Sequence, residues 1–254
     1  MIKIISEDKN KITFVSDISE SLANAVRRSV LEIPILAIDE VEFFKNDSAL
    51  YDEILAHRLG LVPFVTEKNI VEREKCTCKG KGCGKCSIDL KINLKGVRTV
   101  YSRDIKGKAK VVYENIPIVI LSKDQELELV ARARLGKGIK HIKFSPGLVH
   151  YRNLAKITVN KECDDCKKCV EKCPQKVLKI ENKKPELVDI YKCDLCEACV
   201  EACKKHGKNA IQISKDDNSI FFIESWGQIV AKDIFIGAVN KLNENLKELS
   251  KKVK

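Results

Sequence analysis

The apolar positions at the start of the chain follow a hairpin pattern and then a helical one. Apolar and polar residues alternate on both sides of a polar turn, which predicts a β-hairpin over residues 1–16. A helix capped by Ser16 or Asp17 is predicted to run to about Ile33, where Pro34 ends it. Its apolar stripe has helical spacing and consists of Leu22, Ala25, Val26, Ser29, Val30 and Ile33.

The middle of the chain is predicted to be rich in short strands. Residues 52–59 predict one short helix that stops at Gly60. Residues 88–95 alternate with the period of a half-buried strand. Further short strands are predicted at 111–113, 119–121, 127–135, 156–159, 178–180 and 220–223.

The last predicted element is a helix from about Gly227 to the end of the chain. About 24 residues at 1.5 Å each make it roughly 36 Å long, which exceeds the needs of one small domain. Its apolar stripe can pack on the chain's own core or against a partner's helix, and the periodicity supports both. The stripe consists of Phe235, Ala238, Val239, Leu242, Leu246 and Leu249.

Composition adds a basic charge and an unusual number of cysteines. The 254 residues carry 47 Lys and Arg against 36 Asp and Glu, so the formal charge is +11 and nucleic acid is the first partner to consider. No apolar run reaches the ~18 residues of a membrane span, and the charged N-terminus is not a secretory signal. We therefore expect a cytoplasmic protein whose 12 cysteines bind metal.

Eight of the cysteines form an internal repeat. The spacing C-x2-C-x2-C-x3-C occurs twice, and Cys193 follows Cys163 by 30 residues. This is the ferredoxin spacing for [4Fe–4S] clusters, in which the fourth cysteine starts the next helix and ligates the other cluster. We therefore expect one cluster on Cys163, Cys166, Cys169 and Cys203 and a second on Cys193, Cys196, Cys199 and Cys173.

The other four cysteines lie on a loop at 76–86 that is rich in glycine and lysine. The C-x-C and C-x2-C pairs can close a tetrahedral zinc site on Cys76, Cys78, Cys83 and Cys86. The glycines permit the tight turns that such a site needs. Two disulfides or free thiols are the alternatives, and an intracellular location disfavours the disulfides.

A basic run at 132–143 contains no acidic residue. It can contact the nucleic-acid backbone, form a solvated strand face or bind an acidic partner subunit. We favour the last two, because no aromatic residue for base stacking occurs before Phe144. Three thiolate-bound metal sites would also lower the net charge to about +5, and no sequence-specific nucleic-acid binding is expected.

Two stretches carry a family resemblance. They are the Asn-Ala-Val-Arg-Arg sequence at 24–28 and the Asp-Glu-Ile-Leu-Ala-His-Arg-Leu-Gly-Leu-Val-Pro sequence at 52–63. With the late two-cluster segment, they resemble the assembly subunits of cellular RNA polymerases: bacterial alpha, the archaeal D-type subunits and the eukaryotic third subunits. The resemblance covers essentially the whole chain and is strongest to the archaeal members. Eukaryotic relatives bind zinc in a loop similar to 76–86.

The fold that this resemblance and the order of the predicted elements imply is α+β, with two insertions. An alpha-subunit-like dimerisation domain is expected at 1–40 plus 224–254. An inserted mainly-β domain would occupy 41–160 plus 206–223. An inserted two-cluster ferredoxin-like domain would occupy 161–205.

The resemblance implies a non-catalytic scaffold that forms a heterodimer with a smaller alpha-like subunit, called L in archaea. The pair would support the large catalytic subunits and the small subunits of the assembly platform. In the family, the dimer uses the helices that correspond to 17–33 and 227–250. The residues expected at this interface are Leu22, Val26, Arg27, Arg28, Val30, Phe235, Val239, Leu242, Leu246 and Leu249.

Catalysis is not expected in this chain. The sequence contains no two-metal aspartate motif and no P-loop, so DNA-directed RNA polymerase activity is expected only in the complex. The cysteine repeat alone also fits a ferredoxin-type electron-transfer subunit of an oxidoreductase, although no flavin or nicotinamide fingerprint accompanies it. A polymerase whose assembly responds to oxidation of the clusters is a third hypothesis.

Overall fold

A computed structural model describes residues 2–67, 69–161, 163, 166–181 and 184–253. The other positions lie outside the described residues, and so do the parts of the predicted domain ranges that fall on them. The chain divides into two compact units. The first comprises Met1–Glu7, Ile12–Asn24 and His150–Phe222, and the second comprises Asp8–Lys11, Ala25–Val149 and Ile223–Lys254.

Five helices and twelve strands occur in the described residues. The helices are α1 (Glu20–Ser29), α2 (Asp52–Gly60), α3 (Lys168–Lys172), α4 (Ala198–Lys205) and α5 (Ala231–Val253). The strands are β1 (Ile2–Glu7), β2 (Lys11–Ser16), β3 (Ile35–Asn46), β4 (Ser87–Lys95), β5 (Arg98–Tyr101), β6 (Lys106–Gly107), β7 (Pro117–Leu121), β8 (Glu126–Gly136), β9 (Gly147–Val159), β10 (Leu178–Glu181), β11 (Lys184–Leu187) and β12 (Ile211–Ser225). Within the part of the chain that the structure covers, no helix is long and apolar enough to cross a membrane.

The first unit is built on a sheet with the strand order β1-β2-β12-β9. The predicted hairpin is confirmed, because β1 and β2 pair in antiparallel register. Phe14 and Phe221 are buried and stack with ring centres 5.1 Å apart. β9 and β12 are much longer than the predicted strands at 156–159 and 220–223. Pairing within the sheet keeps polar stretches extended that have no strand pattern of their own.

The second unit has a central sheet with the order β3-β8-β4-β6 and a separate β5-β7 pair. β8 pairs with β3 on one side and with β4 on the other. Alternate β8 residues are buried from Leu127 to Leu135, as expected for a sheet with one face on the core. α2 packs Leu55 and Leu59 onto this core. The predicted strands at 88–95 and 127–135 are thus confirmed.

Several predicted element boundaries were wrong. α1 begins at Glu20, and its cap is Ser19, whose Oγ accepts a hydrogen bond from the Leu22 N–H at 3.4 Å. Ser16 is the last residue of β2 and therefore cannot cap the helix. The predicted strand at 111–113 is only an isolated bridge between Val111 and Phe64.

α5 begins four residues later than predicted, because the chain turns sharply at Gly227. The φ of Gly227 is 93°, and a Cβ there would clash with the Val112 side chain. The first half of α5 packs on the turn that follows α1, where a Cβ on Gly237 would lie 3.1 Å from Ile33. Asn245 also donates to the Glu32 carboxylate at 2.9 Å. Residues of the predicted interface helices are therefore neighbours within the second unit.

Adjacent residues of α2 provide a test of the second core. Leu55 is fully buried, whereas Ile54 is 49% exposed. We expect Leu55→Ala to lower the free energy of unfolding by about 2–5 kcal/mol, because it leaves a cavity. The control Ile54→Ala should cost only about 0.5 kcal/mol. Anaerobic urea unfolding measures both changes, and equal losses would contradict the assigned packing.

Candidate metal centres and partner surface

The four-cysteine loop folds back on itself through a series of left-handed residues. Lys79, Gly80 and Gly82 have φ values of 52°, 82° and 83°. Glycine adopts this conformation without a steric penalty, so the loop can turn tightly enough to bring its two cysteine pairs together. A 3₁₀ turn at Arg73–Lys75 precedes the loop, and β4 follows it.

The four sulfur atoms of this loop form a single tight group. All lie within 4.8 Å of one another, with Cys76 3.5 Å from Cys83 and Cys78 3.6 Å from Cys86. A zinc ion with four Zn–S bonds of about 2.3 Å would place its sulfurs about 3.8 Å apart. A disulfide bond would require about 2.05 Å, and the loop cysteines are free thiols. The four side chains therefore fit one tetrahedral ion.

The thiols of this group differ strongly in acidity. Hydrogen bonding to the Cys83 backbone lowers the pKa of Cys78 to about 6. Burial raises the pKa of Cys86 to about 12, and the adjacent Cys78 sulfur adds to this effect. One thiolate is thus stabilised, but a second negative charge beside it is opposed. A bound cation would remove that opposition and allow all four sulfurs to act as ligands.

Arg73 fixes the loop to the central sheet. Its Nε donates to the Gly80 carbonyl at 2.7 Å, and its Nη1 donates to Glu40 on β3 at 3.0 Å. One guanidinium therefore connects the tip of the loop to the sheet. The planar fork of arginine suits such a double contact better than a lysine would.

The basic run at 132–143 is neutralised by carboxylates of the same unit. Each of its five Lys and Arg side chains has an acidic partner within 4 Å: Arg132 pairs with Glu40 and Asp89, Arg134 and Lys143 with Asp39, Lys137 with Glu72, and Lys140 with Glu74. These acids come from β3, β4 and the segment before the four-cysteine loop. The run therefore forms ion pairs within its own unit, and its charge gives no reason to place nucleic acid here.

The cysteine repeat folds as two copies of a loop followed by a short helix. The residues just before the helices, Lys167 and Glu197, are both left-handed, with φ values of 60° and 58°. The third cysteine of each run lies in the first turn of the following helix, at Cys169 and Cys199. The two copies therefore share their backbone conformation as well as their spacing.

The fourth cysteines do not start the next helix, and that prediction was wrong. Cys173 follows α3 directly, and Cys203 lies near the end of α4. Each therefore lies at the far end of the helix of its own run. The C-x3-C spacing covers about one helical turn, which puts the third and fourth cysteines at opposite ends of that turn.

The eight repeat cysteines fall into two spatial sets. Cys163, Cys166, Cys169 and Cys203 line one cavity, together with the apolar side chains of Val159, Ile180, Pro185, Ala210 and Ile211. In the other set, burial raises the pKa of Cys199 to about 11, with further contributions from the nearby Cys173 and Cys193. The negative charge of Cys173 also contributes to the raised pKa of Cys196. Each set thus combines three cysteines of one run with the fourth cysteine of the other.

Two family models match the chain. The RNA polymerase Rpb3/RpoA insert domain matches residues 40–148, and the 4Fe-4S dicluster domain matches residues 152–208. The DNA-directed RNA polymerase subunit Rpo3 of Methanothermobacter thermautotrophicus is 38% identical over 252 residues, which cover 95% of this chain and 94% of the relative. The chain belongs to the archaeal Rpo3 family of RNA polymerase subunits. The resemblance found in the sequence is confirmed.

Other Rpo3 relatives agree in length and similarity. The Rpo3 of Archaeoglobus fulgidus is 35% identical over 257 residues, covering 98% of this chain and 96% of the relative. The Rpo3 of Thermococcus kodakarensis is 39% identical over 237 residues, covering 91% and 89%. The mixed α/β fold of this Rpo3 chain therefore contains an Rpb3/RpoA insert domain and a dicluster ferredoxin-like domain, as predicted.

The residues predicted at the partner interface of this Rpo3 chain divide by their burial. Val26 and Val30 are only 4% and 3% exposed, so the chain's own core already covers them and they leave the predicted set. Phe235, Val239, Leu242 and Arg27 are half-buried, whereas Leu22, Arg28, Leu246 and Leu249 are exposed. Sequence reasoning missed two exposed apolar residues of α5, Ile236 and Val253. Val253 extends the apolar stripe at the C-terminal end of the helix, and Ile236 lies at the edge of the stripe.

Asp39 tests the internal charge network of the Rpo3 chain. Burial opposes its ionisation, but hydrogen bonds from Lys143 and Arg134 outweigh burial and hold the pKa of this carboxyl below its ordinary value. Asp39→Asn would leave two cations without their shared partner, so we expect a loss of about 2 kcal/mol in unfolding free energy. The control Glu42→Gln changes an exposed carboxylate on the same strand and should cost under about 0.5 kcal/mol.

The pH dependence of the Asp39→Asn effect follows from the lowered pKa. A carboxylate with a depressed folded pKa stabilises the fold above its unfolded pKa of about 3.9, and the effect fades as pH falls through the folded value. The wild-type advantage should therefore be constant from about pH 8 to pH 5. Urea midpoints across this range measure it, and a difference that already shrinks at pH 6 would contradict the assigned ion pairs.

Proposed function

We propose that this chain is a non-catalytic assembly subunit of a DNA-directed RNA polymerase. It forms a heterodimer with a smaller alpha-like subunit, the archaeal subunit L. The pair supports the large catalytic subunits and the small subunits of the platform, and nucleotidyl transfer takes place in the large subunits. The near full-length similarity to Rpo3 carries this proposal. In the cell we place the subunit in the cytoplasm, with the DNA that the polymerase transcribes.

The exposed half of α5 supports a helical partner. The helix has 23 residues, about 35 Å, but its buried residues, Ala231, Ile234 and Ala238, all lie in the first half. Leu246 and Leu249 are 54% and 58% exposed, and Val253 is 80% exposed. Burying each leucine against a partner would contribute about 1.5–3 kcal/mol at most. An apolar stripe that continues past the chain's own core is typical of an interaction surface.

The domain division that we propose keeps the boundaries expected from the sequence. Residues 1–40 plus 224–254 form the dimerisation domain, and residues 41–160 plus 206–223 form the inserted β-rich domain. Residues 161–205 form the inserted ferredoxin-like domain. The family matches at 40–148 and 152–208 support two separate inserted segments that overlap these ranges, the ferredoxin-like one with wider limits than 161–205.

Two [4Fe–4S] clusters are the cofactors that we propose for the repeat. Cys163, Cys166, Cys169 and Cys203 hold the first, and Cys193, Cys196, Cys199 and Cys173 hold the second. The grouping of the cysteines and the apolar wall around the first set support this assignment. When bound, each cluster cross-links the two runs and strengthens a core too small to be stable by itself.

A zinc ion is the ligand that we propose for the four-cysteine loop. The sulfur spacing supports a single ion on Cys76, Cys78, Cys83 and Cys86, and sites with four cysteines are structural. The ion holds the loop closed, and the Arg73 contacts connect the closed loop to the sheet. Its role in this proposal is to stabilise the second unit.

The partner interface can be tested at the exposed end of α5. We expect Leu246→Glu with Leu249→Glu to weaken binding to the alpha-like subunit more than about 100-fold, because two leucines are lost and two charges are buried. Lys251→Glu, on the opposite side of the same helix, is the control and should change binding less than about threefold. Titration of the purified anaerobic subunits measures both affinities. Equal binding by the wild type and the double variant would refute the proposed interface.

The cluster assignment can be tested by pairing serine substitutions. Cys166→Ser with Cys203→Ser removes two ligands of the same cluster, so about four iron atoms should remain. Cys166→Ser with Cys173→Ser removes one ligand from each cluster and should leave neither intact. Iron, sulfide and zinc counts after anaerobic purification give the answer. The reverse pattern would show that each run of four cysteines holds its own cluster.

A further inference from the structure

The sheet of the first unit carries two different sets of side chains on its two faces. Side chains alternate along a strand, so neighbouring residues such as Tyr151 and Arg152 point to opposite faces. On one face, Tyr151 packs against Phe221 at 5.5 Å, and Phe221 stacks on Phe14. On this face the Tyr151 hydroxyl donates to the carbonyl of Glu20, the first residue of α1, at 3.4 Å. This face therefore supports the start of α1.

The opposite face carries cationic and aromatic side chains. Phe222 stacks on His150 with ring centres 4.8 Å apart, and the Arg152 guanidinium lies 5.2 Å from the centre of the Phe222 ring. The β1–β2 register pairs Ile4 with Phe14 and places the neighbouring Lys3 on the other side of the sheet. Lys3 and Arg152 therefore share the face opposite to α1, although they belong to the two edge strands, β1 and β9.

Tyr191 lies across this second face and is held from both edges. Arg152 Nη2 donates to the Tyr191 carbonyl at 2.5 Å. Lys3 Nζ donates to the Tyr191 hydroxyl at 2.9 Å and lies 5.6 Å from the centre of its ring. Contacts at both the backbone and the end of the side chain fix the position and the orientation of this residue.

Tyr191, which Arg152 and Lys3 clamp in place, belongs to the turn that leads into the second set of cysteines. Tyr191 is the middle residue of the 3₁₀ turn Ile190–Lys192, and Cys193 follows directly. Asp189 caps the turn by accepting from the Tyr191 N–H at 3.0 Å, and the Cys193 N–H donates to the Ile190 carbonyl at 3.2 Å. The position of Cys193 therefore depends on a turn that Lys3 and Arg152 hold against the sheet.

Arg152 is half-buried, and this adds an electrostatic component to its contact with Tyr191. Its Nε is buried, with no hydrogen-bond partner among the described residues. Withdrawing a guanidinium from water is costly unless a negative charge lies nearby. A cluster with four thiolate ligands carries a net negative charge of about −2, and it would supply such a partner close to this turn.

We propose that Arg152 and Lys3 are positioning residues for the second cluster site. Through Tyr191 they link the occupancy of that site to the stability of the sheet that supports α1. This inference rests on the proposed function, since it takes the two clusters from there. The linkage is reciprocal: a bound cluster stabilises the clamped turn, and the clamped turn holds the cluster more tightly.

The first experiment measures the second cluster alone. In the full chain with Cys166→Ser, which lacks the first cluster, we add Arg152→Gln and follow anaerobic iron release to a chelator. We expect release to be about tenfold faster, because a charged hydrogen bond to the turn is lost. The reduction potential should also fall, because a nearby positive charge that favours the reduced cluster is removed. Arg152→Lys should restore the potential at least in part, since it keeps the charge.

Lys156→Gln is the matched control. Lys156 lies on the same face of β9 as Arg152, and its side chain is exposed. Lys156→Gln therefore makes the same charge change at a position that has no contact with the turn among the described residues. The chain with Lys156→Gln should release iron at the same rate as the chain with Cys166→Ser alone, and it should have the same reduction potential. Unchanged release and potential in Arg152→Gln would overturn the inference, and so would equal changes in Lys156→Gln.

The second experiment tests the linkage to α1 by amide hydrogen exchange in the full chain. We expect Cys193→Ser and Arg152→Gln to speed exchange in the first turn of α1 about tenfold. The control Cys163→Ser removes a ligand of the other cluster and should have a smaller effect. Equal effects of Cys163→Ser and Cys193→Ser would overturn a specific link to the second site.

The two proposals fail in distinguishable ways. A wild-type chain that assembles with its partner but contains no second cluster would refute the proposed cofactors. A wild-type chain with both clusters, but with no effect of Arg152→Gln on release, potential or exchange, would refute only the clamp.

Discussion

Closely spaced thiolates repel one another, and much of this structure depends on how that repulsion is relieved. In the four-cysteine loop, the sulfurs lie within 4.8 Å of one another, and the pKa of Cys78 is lowered whereas that of Cys86 is raised. Ionising the rest requires a cation among them. In the repeat, burial raises the pKa of Cys169 and Cys199, and neighbouring thiolates add to the effect. The fold brings these cysteine sulfurs together, but the positive charge of a metal is needed to stabilise them as thiolates.

The positive charge of the chain has a different explanation from the one that its total suggests. The basic run at 132–143 contains five cations and no acid, yet the fold places a carboxylate beside each one. These carboxylates come from strands and loops far away in sequence. Local charge patterns therefore overstate the potential at the surface, because tertiary pairing decides how much of it remains.

The sequence predicted best what depends on local spacing. The cysteine repeat, the hairpin, β4, β8 and the long C-terminal helix all follow from short-range periodicity, and the structure contains each of them. The grouping of Cys203 with the first run stays a prediction, and the cavity that these four cysteines line supports it.

What the sequence missed depends on contacts between distant segments. β3 follows Pro34 directly, and its first residues are a continuous apolar run with no strand alternation, because both sides of the strand are covered. Residues 215–218 are polar, yet they lie within β12, which pairs with β2 and β9 in the sheet. Val26 and Val30 also depend on such distant contacts. Their helical spacing predicted an apolar stripe, but it could not show whether the stripe packs on the core or forms an interface.

Arg152 shows the same limit at the level of a single residue. In the sequence it is one arginine in a polar strand, 39 residues before the tyrosine that it contacts. Its significance appears only when β9 becomes the edge of a sheet and the turn before Cys193 lies across that sheet. A strand has two faces, so adjacent residues can serve two neighbours: Tyr151 contacts the start of α1, and Arg152 contacts the cluster turn. A rigid strand between them cannot shift at one residue without moving the other, which is why a cofactor site and a helix start can be coupled without touching.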